Sequence, residues 1–149
     1  MKRITTMMAL LAILTMSCQE KLVPANEVKY LGAGTNEISL ESKGYGSKEE
    51  IARQDPIKRA INVVLFQGIP GAGRIGRDAM VKAQTQEKHK AFFNGFFEGG
   101  KYLDFVPNSS ILSSVKDKGK YTTVVSAKIN MSAMRKYLET NGVIRGFGL

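Results

Sequence analysis

The sequence contains one cysteine, Cys18, so no disulfide can form within the chain. A domain without such cross-links depends on a hydrophobic core for its stability. Residues 18–149 are long enough to bury a core of this kind, and 43% of the sequence is hydrophobic. We therefore expect a single domain held together by apolar packing.

Residues 1–17 have the order of regions found in a secretory signal peptide. Lys2 and Arg3 come first, an uncharged apolar stretch follows from Met7 to Leu14, and small or polar residues precede Cys18. A helix that spans a membrane needs about 20 apolar residues, and this stretch has about half of that. We interpret residues 1–17 as a signal peptide.

The segment Leu14-Thr15-Met16-Ser17-Cys18 resembles the lipobox of bacterial lipoproteins, which their signal peptidase recognises. The resemblance implies that Cys18 becomes the mature N-terminus and carries the lipid, with palmitate among its acyl chains. Lipidation also accounts for an unpaired cysteine in an exported protein. Each methylene buried in a membrane contributes about 0.8 kcal/mol, so we expect stable attachment to the cell outer membrane. The alternative is a secreted protein with a free thiol.

The formal net charge of the whole chain is +9. A basic protein attracts nucleic acid, anionic lipid or acidic polysaccharide. Nucleic acid is scarce in the cell envelope, so we expect no nucleic-acid partner. A solvated basic surface without a polyanionic partner is the other interpretation.

Residues 18–36 contain Pro24, Gly32 and Gly34 and show neither a helical nor an alternating period. This composition is typical of a tether, which here would join the lipidated cysteine to the folded part of the chain. The sequence therefore predicts a tether over 18–36 and a single domain over 37–149.

The pattern from Glu37 onwards predicts a strand followed by a helix. Ile38 and Leu40 alternate with polar neighbours, as in a half-buried strand. Ser47 and Glu50 have the spacing of a capping box at a helix start, and Pro56 predicts a kink or a restart in that helix. One apolar face with helical spacing follows the proline: Ile57, Ala60, Ile61, Val64 and Leu65. A glycine at position 68 predicts the helix end.

The second half of the chain predicts a helix, a β-hairpin and a last helix. The helix runs over 84–98 with a buried stripe of phenylalanines: Phe92, Phe93, Phe96 and Phe97. Strands over 111–115 and 121–129 flank the turn sequence Asp117-Lys118-Gly119. Asn130 is placed to cap a short final helix that ends at Asn141-Gly142. Together these elements predict a small α+β two-layer sandwich, with three or four mostly antiparallel strands and two or three helices on one face.

Residues 71–76, G-A-G-R-I-G, match the G-x-G-x-x-G pattern of a dinucleotide-binding turn. The preceding apolar run has helical spacing, whereas that mechanism needs a strand before the glycines. In a phosphate-binding loop, Asp78 would stand where a hydroxyl binds magnesium. We therefore interpret Ile69 to Ala79 as a flexible surface loop, with Arg74 and Arg77 available to an acidic partner.

The chemistry-bearing residues show no catalytic or metal-binding arrangement. His89 is the one histidine and lies between Lys88 and Lys90, so we interpret it as a solvated helical residue. The serines at positions 109, 110, 113 and 114 lack the sequence pattern of a nucleophile elbow. We expect no catalytic residue, no metal and no cofactor, and hence a protein that is not an enzyme.

Three parts of the chain carry a family resemblance: the segment Gly44-Tyr45-Gly46, the helix through Ala52 and Ala60, and the ending from Met134 to Ile144. They resemble the N-terminal domain of flagellar assembly protein T and related small outer-membrane lipoproteins, over about 37–145. The resemblance implies a helix packed on a sheet, and an envelope-associated binding or assembly domain without a catalytic site.

These observations lead to two functional hypotheses. The first is a non-catalytic, membrane-anchored lipoprotein that binds or helps assemble a cell-envelope protein complex. The second is a lipoprotein that binds a polysaccharide or a small ligand. A hydrolase would need catalytic residues that the sequence does not offer.

Overall fold

The computed structural model describes residues 27–146, which form a four-stranded antiparallel sheet with helices packed against it. The leader and Cys18 lie outside the described residues. The elements are β1 (Val28–Ala33), β2 (Glu37–Gly46), α1 (Glu49–Phe66), α2 (Ala83–Lys88), α3 (Lys90–Glu98), a 3-10 helix (Lys101–Phe105), β3 (Asn108–Asp117), β4 (Lys120–Asn130) and α4 (Met131–Thr140). The strand order is β1-β2-β4-β3. Between residues 27 and 146, no helix is both long and apolar enough to cross a membrane.

The core lies between α1 and one face of the sheet. Ile38 and Leu40 of β2 are opposite Ile129 and Ala127 of β4, and all four side chains are buried. The predicted apolar face of α1 covers them, since its five residues from Ile57 to Leu65 are all buried. The predicted α+β class, the half-buried strand and the helix that follows it are therefore confirmed.

The sheet begins earlier in the chain than predicted. Val28 is opposite Ser42, so β1 is paired within the segment interpreted as a tether. The boundary at residue 37 is therefore wrong, and the folded domain includes residues from at least Val28. The pairing of β1 shifts register between Tyr30 and Gly32, but the burial of its side chains still alternates. An exposed position is occupied by the apolar Leu31, which is 46% exposed, so the sequence lacks the apolar–polar alternation that would have indicated a strand.

The start of α1 differs from the prediction in two respects. Lys48 is the N-cap, without a side-chain hydrogen bond, so the capping box of Ser47 and Glu50 does not form. The helix also continues through Pro56 without a restart. Gly44 on β2 provides the space for the proline ring, because a Cβ at that glycine would overlap Pro56.

The single helix predicted over 84–98 is two helices, because α2 ends and α3 begins at His89. Phe93 and Phe96 are buried and the other two phenylalanines of the stripe are half-buried, so the stripe is largely core. The stripe belongs to an aromatic cluster that also includes Phe66, Tyr102, Phe105 and Tyr137.

The predicted hairpin and the predicted Asn130 cap of the final helix are confirmed. β3 and β4 pair as an antiparallel hairpin, and Lys118 and Gly119 at the turn have the positive φ angles of 46° and 79° that tight hairpin turns use. The side chain of Asn130 accepts a hydrogen bond from the backbone N–H of Ala133 at 2.9 Å, which caps α4. Gly142, with φ of 67°, follows the helix end as expected.

Candidate functional site

The outer strand β3 is the most exposed regular element of the described chain. All ten of its residues are exposed, and it is paired only with β4. Three of its side chains are large and apolar: Ile111 is 45% exposed, Leu112 54% and Val115 61%. An edge strand offers unpaired backbone N–H and C=O groups along its free side. β3 therefore combines main-chain hydrogen-bonding groups with an apolar surface.

The position of α1 explains this exposure. The helix packs chiefly against β2 and β4, so Thr123 and Val125 of β4 are buried while β3 lies beyond the helical layer. At this boundary the hydroxyl groups of Ser114 and Thr123 are 3.2 Å apart and form a hydrogen bond. The inner side of β3 is thus hydrogen-bonded to β4, and its outer side is unpaired in the described sheet.

A β-bulge divides β3 into two parts. The register with β4 shifts between Ile111 and Ser113, which leaves Leu112 without a residue directly opposite. Residues 113–117 then pair without interruption with residues 120–124. A bulge bends a strand and limits edge-to-edge pairing, so the regular run over 113–117 is the part of β3 best suited to receive another strand.

On β3 itself, charge is confined to the turn end of the strand; at the other end of the hairpin, the exposed Lys128 of β4 is opposite Asn108. No charged residue occurs from Asn108 to Val115, whereas Lys116, Lys118 and Lys120 surround a single acid, Asp117. The ammonium group of Lys116 lies 5.0 Å from the ring centre of Tyr121, a cation–π contact that favours its position beside the strand. The β3 edge is therefore neutral and partly apolar along its length and positive at one end.

The loop with the glycine pattern is packed more tightly than the sequence predicts. The backbone N–H of Ile69 donates to the carbonyl of Gly76 at 2.8 Å, and Ala72 is buried. Gly76 lies against Ile38 of the core. The segment interpreted as a flexible surface loop is therefore anchored to the core at Ile69, Ala72 and Gly76, whereas residues 70–71 and 73–75 are exposed. Its flexibility stays a prediction.

Arg74 and Arg77 are exposed on that loop and form no ion pair with another described residue. Their availability to an acidic partner stays a prediction.

The residues considered for catalysis are not assembled into a site. His89 lies at the junction of α2 and α3, and the four serines lie on β3. Across residues 27–146, no group of three or more His, Cys, Asp or Glu side chains is placed to hold a metal ion.

No family model, curated protein or solved structure matches this chain. The function is therefore inferred from residues 1–18 and from the surfaces that the fold exposes. Sequence reasoning predicted β3 as a hairpin strand but missed its role as an open edge. The one available signal was the adjacent pair Ile111-Leu112, which breaks the alternation expected of a strand packed under a helix.

Proposed function

We propose that this protein is a non-catalytic lipoprotein of the bacterial outer membrane, anchored through Cys18, that helps assemble a cell-envelope protein complex. The observation that carries the proposal is the β3 edge, where ten exposed residues include three large apolar side chains. Adding a strand to an open edge is a common way to bind an extended peptide, because main-chain hydrogen bonds provide affinity and side chains provide specificity. The lipobox and the resemblance to flagellar assembly protein T support an envelope role of this type.

The expected partner is an extended segment of another envelope protein, with apolar side chains along it and acidic residues at one end. The apolar residues would cover Leu112 and Val115, and the acidic end would lie beside the three lysines of the turn. A second copy of this chain offers no such complement. Antiparallel pairing of two β3 strands would place the uncharged Asn108 and Ser109 opposite the lysine-bearing end.

The test is purification of the full lipidated chain from detergent-solubilised envelopes, after cross-linking in the cell. Leu112→Lys/Val115→Lys places two charges on the β3 edge, and Ile51→Lys/Leu103→Lys, which adds the same charge outside β3, is the matched control. Ile51 is 49% exposed but lies on α1. Substitutions at such exposed positions usually change stability by no more than about 0.5 kcal/mol, and thermal melting of both variants checks this.

We expect the wild type and the control to recover the same protein in stoichiometric amount, with β3 cross-linked to an acidic segment of it. The double variant should recover at least about tenfold less, equivalent to about 1.4 kcal/mol of binding free energy. Equal recovery by all three proteins would contradict the proposal. Cross-links from β3 only to a second copy of this chain would replace it with self-association.

A further inference from the structure

The hairpin turn fixes the direction of the backbone groups along β3. Asp117 is opposite Lys120, and the two residues between them both have positive φ angles. A two-residue turn of this type is closed by a hydrogen bond from the N–H of its fourth residue to the carbonyl of its first, so Asp117 and Lys120 are a hydrogen-bonded pair. Bonded and non-bonded pairs alternate along antiparallel strands. Ser114 and Lys116 are therefore in non-bonded pairs with β4, and their backbone N–H and C=O groups point to the free side of β3.

The side chains of the hairpin agree with this assignment. Ser114 is opposite Thr123, and their hydroxyl groups are 3.2 Å apart, as expected because side chains lie closer in a non-bonded pair. Thr123 is fully buried on the face of the sheet that α1 covers. Successive side chains alternate between the two faces, so Ser114 and Lys116 project on the helix side and Val115 projects on the opposite side.

This alternation specifies the chemistry that each position of an added strand would meet. Lys116 forms no ion pair with any other residue in the described part of the chain, so an acidic side chain opposite it is favoured. Val115 is 61% exposed, so an apolar side chain opposite it would bury surface. Asp117 projects on the same side as Val115, and an acid opposite it is disfavoured because like charges directly across a sheet repel.

We propose that the partner adds one antiparallel strand beside residues 113–117, hydrogen-bonded to the backbone of Ser114 and Lys116, with an acidic residue opposite Lys116 followed by an apolar residue opposite Val115. The acid precedes the apolar residue because the added strand runs opposite to β3. Antiparallel pairing continues the order of the whole sheet. This inference rests on the proposed function, in which β3 binds the partner.

The test is isothermal titration calorimetry of the full lipidated chain in detergent micelles with synthetic peptides. The probe is acetyl-G-T-E-V-T-V-T-G-amide, whose glutamate and first valine would lie opposite Lys116 and Val115. One methylated form carries N-methyl groups on the glutamate and on the threonine between the valines, whose N–H groups would face β3. The matched control carries them on the two valines, whose N–H groups would face away. A further peptide has lysine in place of glutamate.

Two substitutions in β3 test the same contacts from the protein side. Ser114→Pro removes an N–H that points to the free side, and proline is tolerated in edge strands at such positions. Ser114→Ala removes only the hydroxyl and is the matched control. Lys116→Glu reverses the charge that selects the acid. Thermal melting of each variant checks that the domain is folded, and the methylated peptides test the hydrogen bonds on the wild-type protein.

We expect the probe to bind the wild type with a Kd below about 1 mM. Ser114→Pro should weaken binding at least about tenfold and Ser114→Ala less than about twofold. Methyl groups on the β3-facing amides should abolish binding, and those on the valines should leave it within about threefold. Lys116→Glu should bind the lysine peptide better than the glutamate peptide, the reverse of the wild type.

Three outcomes would overturn the inference. Equal binding of both methylated peptides would show that main-chain hydrogen bonds are not used. Binding that is sensitive to methylation but unaffected by Ser114→Pro would place the added strand on β1, the other edge of the sheet. The absence of heat at about 5 mM probe would show that β3 receives no such strand. If Leu112→Lys/Val115→Lys still lost the envelope partner in that case, the proposed function would stand without this inference. Peptide binding as expected, with undiminished partner recovery by that variant, would support the inference and contradict the proposed function.

Discussion

At Gly44 the backbone of β2 lies directly against Pro56 of α1. A Cβ at Gly44 would overlap both the proline ring and the proline backbone nitrogen. Because backbone atoms cannot move aside as the end of a side chain can, Gly44→Ala should push α1 away from the sheet. We expect a loss of about 1–3 kcal/mol or more in the free energy of unfolding, measured by chemical denaturation.

Gly73→Ala is the control for this substitution. Gly73 lies on the exposed loop, has no positive φ, and an added Cβ would have no heavy atom within 4 Å. Its free energy of unfolding should change by about 1 kcal/mol or less. If both alanine variants unfolded at the same denaturant concentration, the close approach of β2 and α1 would not limit stability.

Tyr102 gives the fold a dependence on alkaline pH. Burial raises the pKa of Tyr102 above its usual value of 10.0, and the negative charge of Asp55 raises the pKa further. The folded protein therefore keeps the phenolic proton at a pH where the unfolded chain loses it. The resulting contribution to stability is complete below about pH 10 and is lost as pH rises through the pKa of the folded state.

Tyr102→Phe removes this proton and should flatten the pH dependence. We expect the melting temperature of the wild type to fall more steeply than that of the variant between about pH 9 and pH 11. Other tyrosines and the lysines titrate in both proteins, so the difference between the two curves isolates Tyr102. Parallel curves for the two proteins would show that Tyr102 does not contribute to the pH dependence of the melting temperature.

At the scale of elements, α3 is held to the 3-10 helix and α4 by aromatic contacts. The ring of Phe96 is stacked 5.9 Å from that of Phe105 and lies 6.1 Å from that of Tyr137. Phe96 is 3% exposed. Replacing a buried phenylalanine with alanine typically costs about 3–5 kcal/mol, out of a total of about 5–15 kcal/mol for a small domain.

Phe96→Ala should therefore unfold the protein or lower its melting temperature strongly. Leu103→Ala is the control, since Leu103 is on the neighbouring 3-10 helix but is 39% exposed, and it should have little effect. A Phe96→Ala variant that melts like the wild type but loses a binding partner would show that the stripe is a recognition surface.

At the scale of the whole molecule, membrane attachment is expected to depend on one atom, the Sγ of Cys18. Cys18→Ser cannot form the thioether to lipid, so it should give an unprocessed or soluble protein. Metabolic labelling with radioactive palmitate, followed by fractionation of the cells, measures both outcomes. Ser17→Ala keeps the thiol and should be labelled normally. Palmitate that remains on the Cys18→Ser protein would contradict the lipoprotein assignment.

The sequence alone determined the features that depend on residues close together in the chain. The apolar face of α1, the turn at Lys118-Gly119 and the Asn130 cap were all predicted correctly. Each follows from the spacing of apolar residues or from hydrogen bonds between residues a few positions apart. A local sequence pattern can indicate both.

Only the tertiary structure decided the features that join distant segments. The pairing of β1 with β2 has no local signature, and the edge position of β3 is signalled only by the adjacent pair Ile111-Leu112. The effect of Pro56 on α1 is another feature that the local sequence does not decide. Its local effect predicts a kinked or restarted helix, but the gap at Gly44, on another element, lets α1 continue. Such features depend on which surfaces pack together, and that packing is set by the burial of the whole core rather than by neighbouring residues.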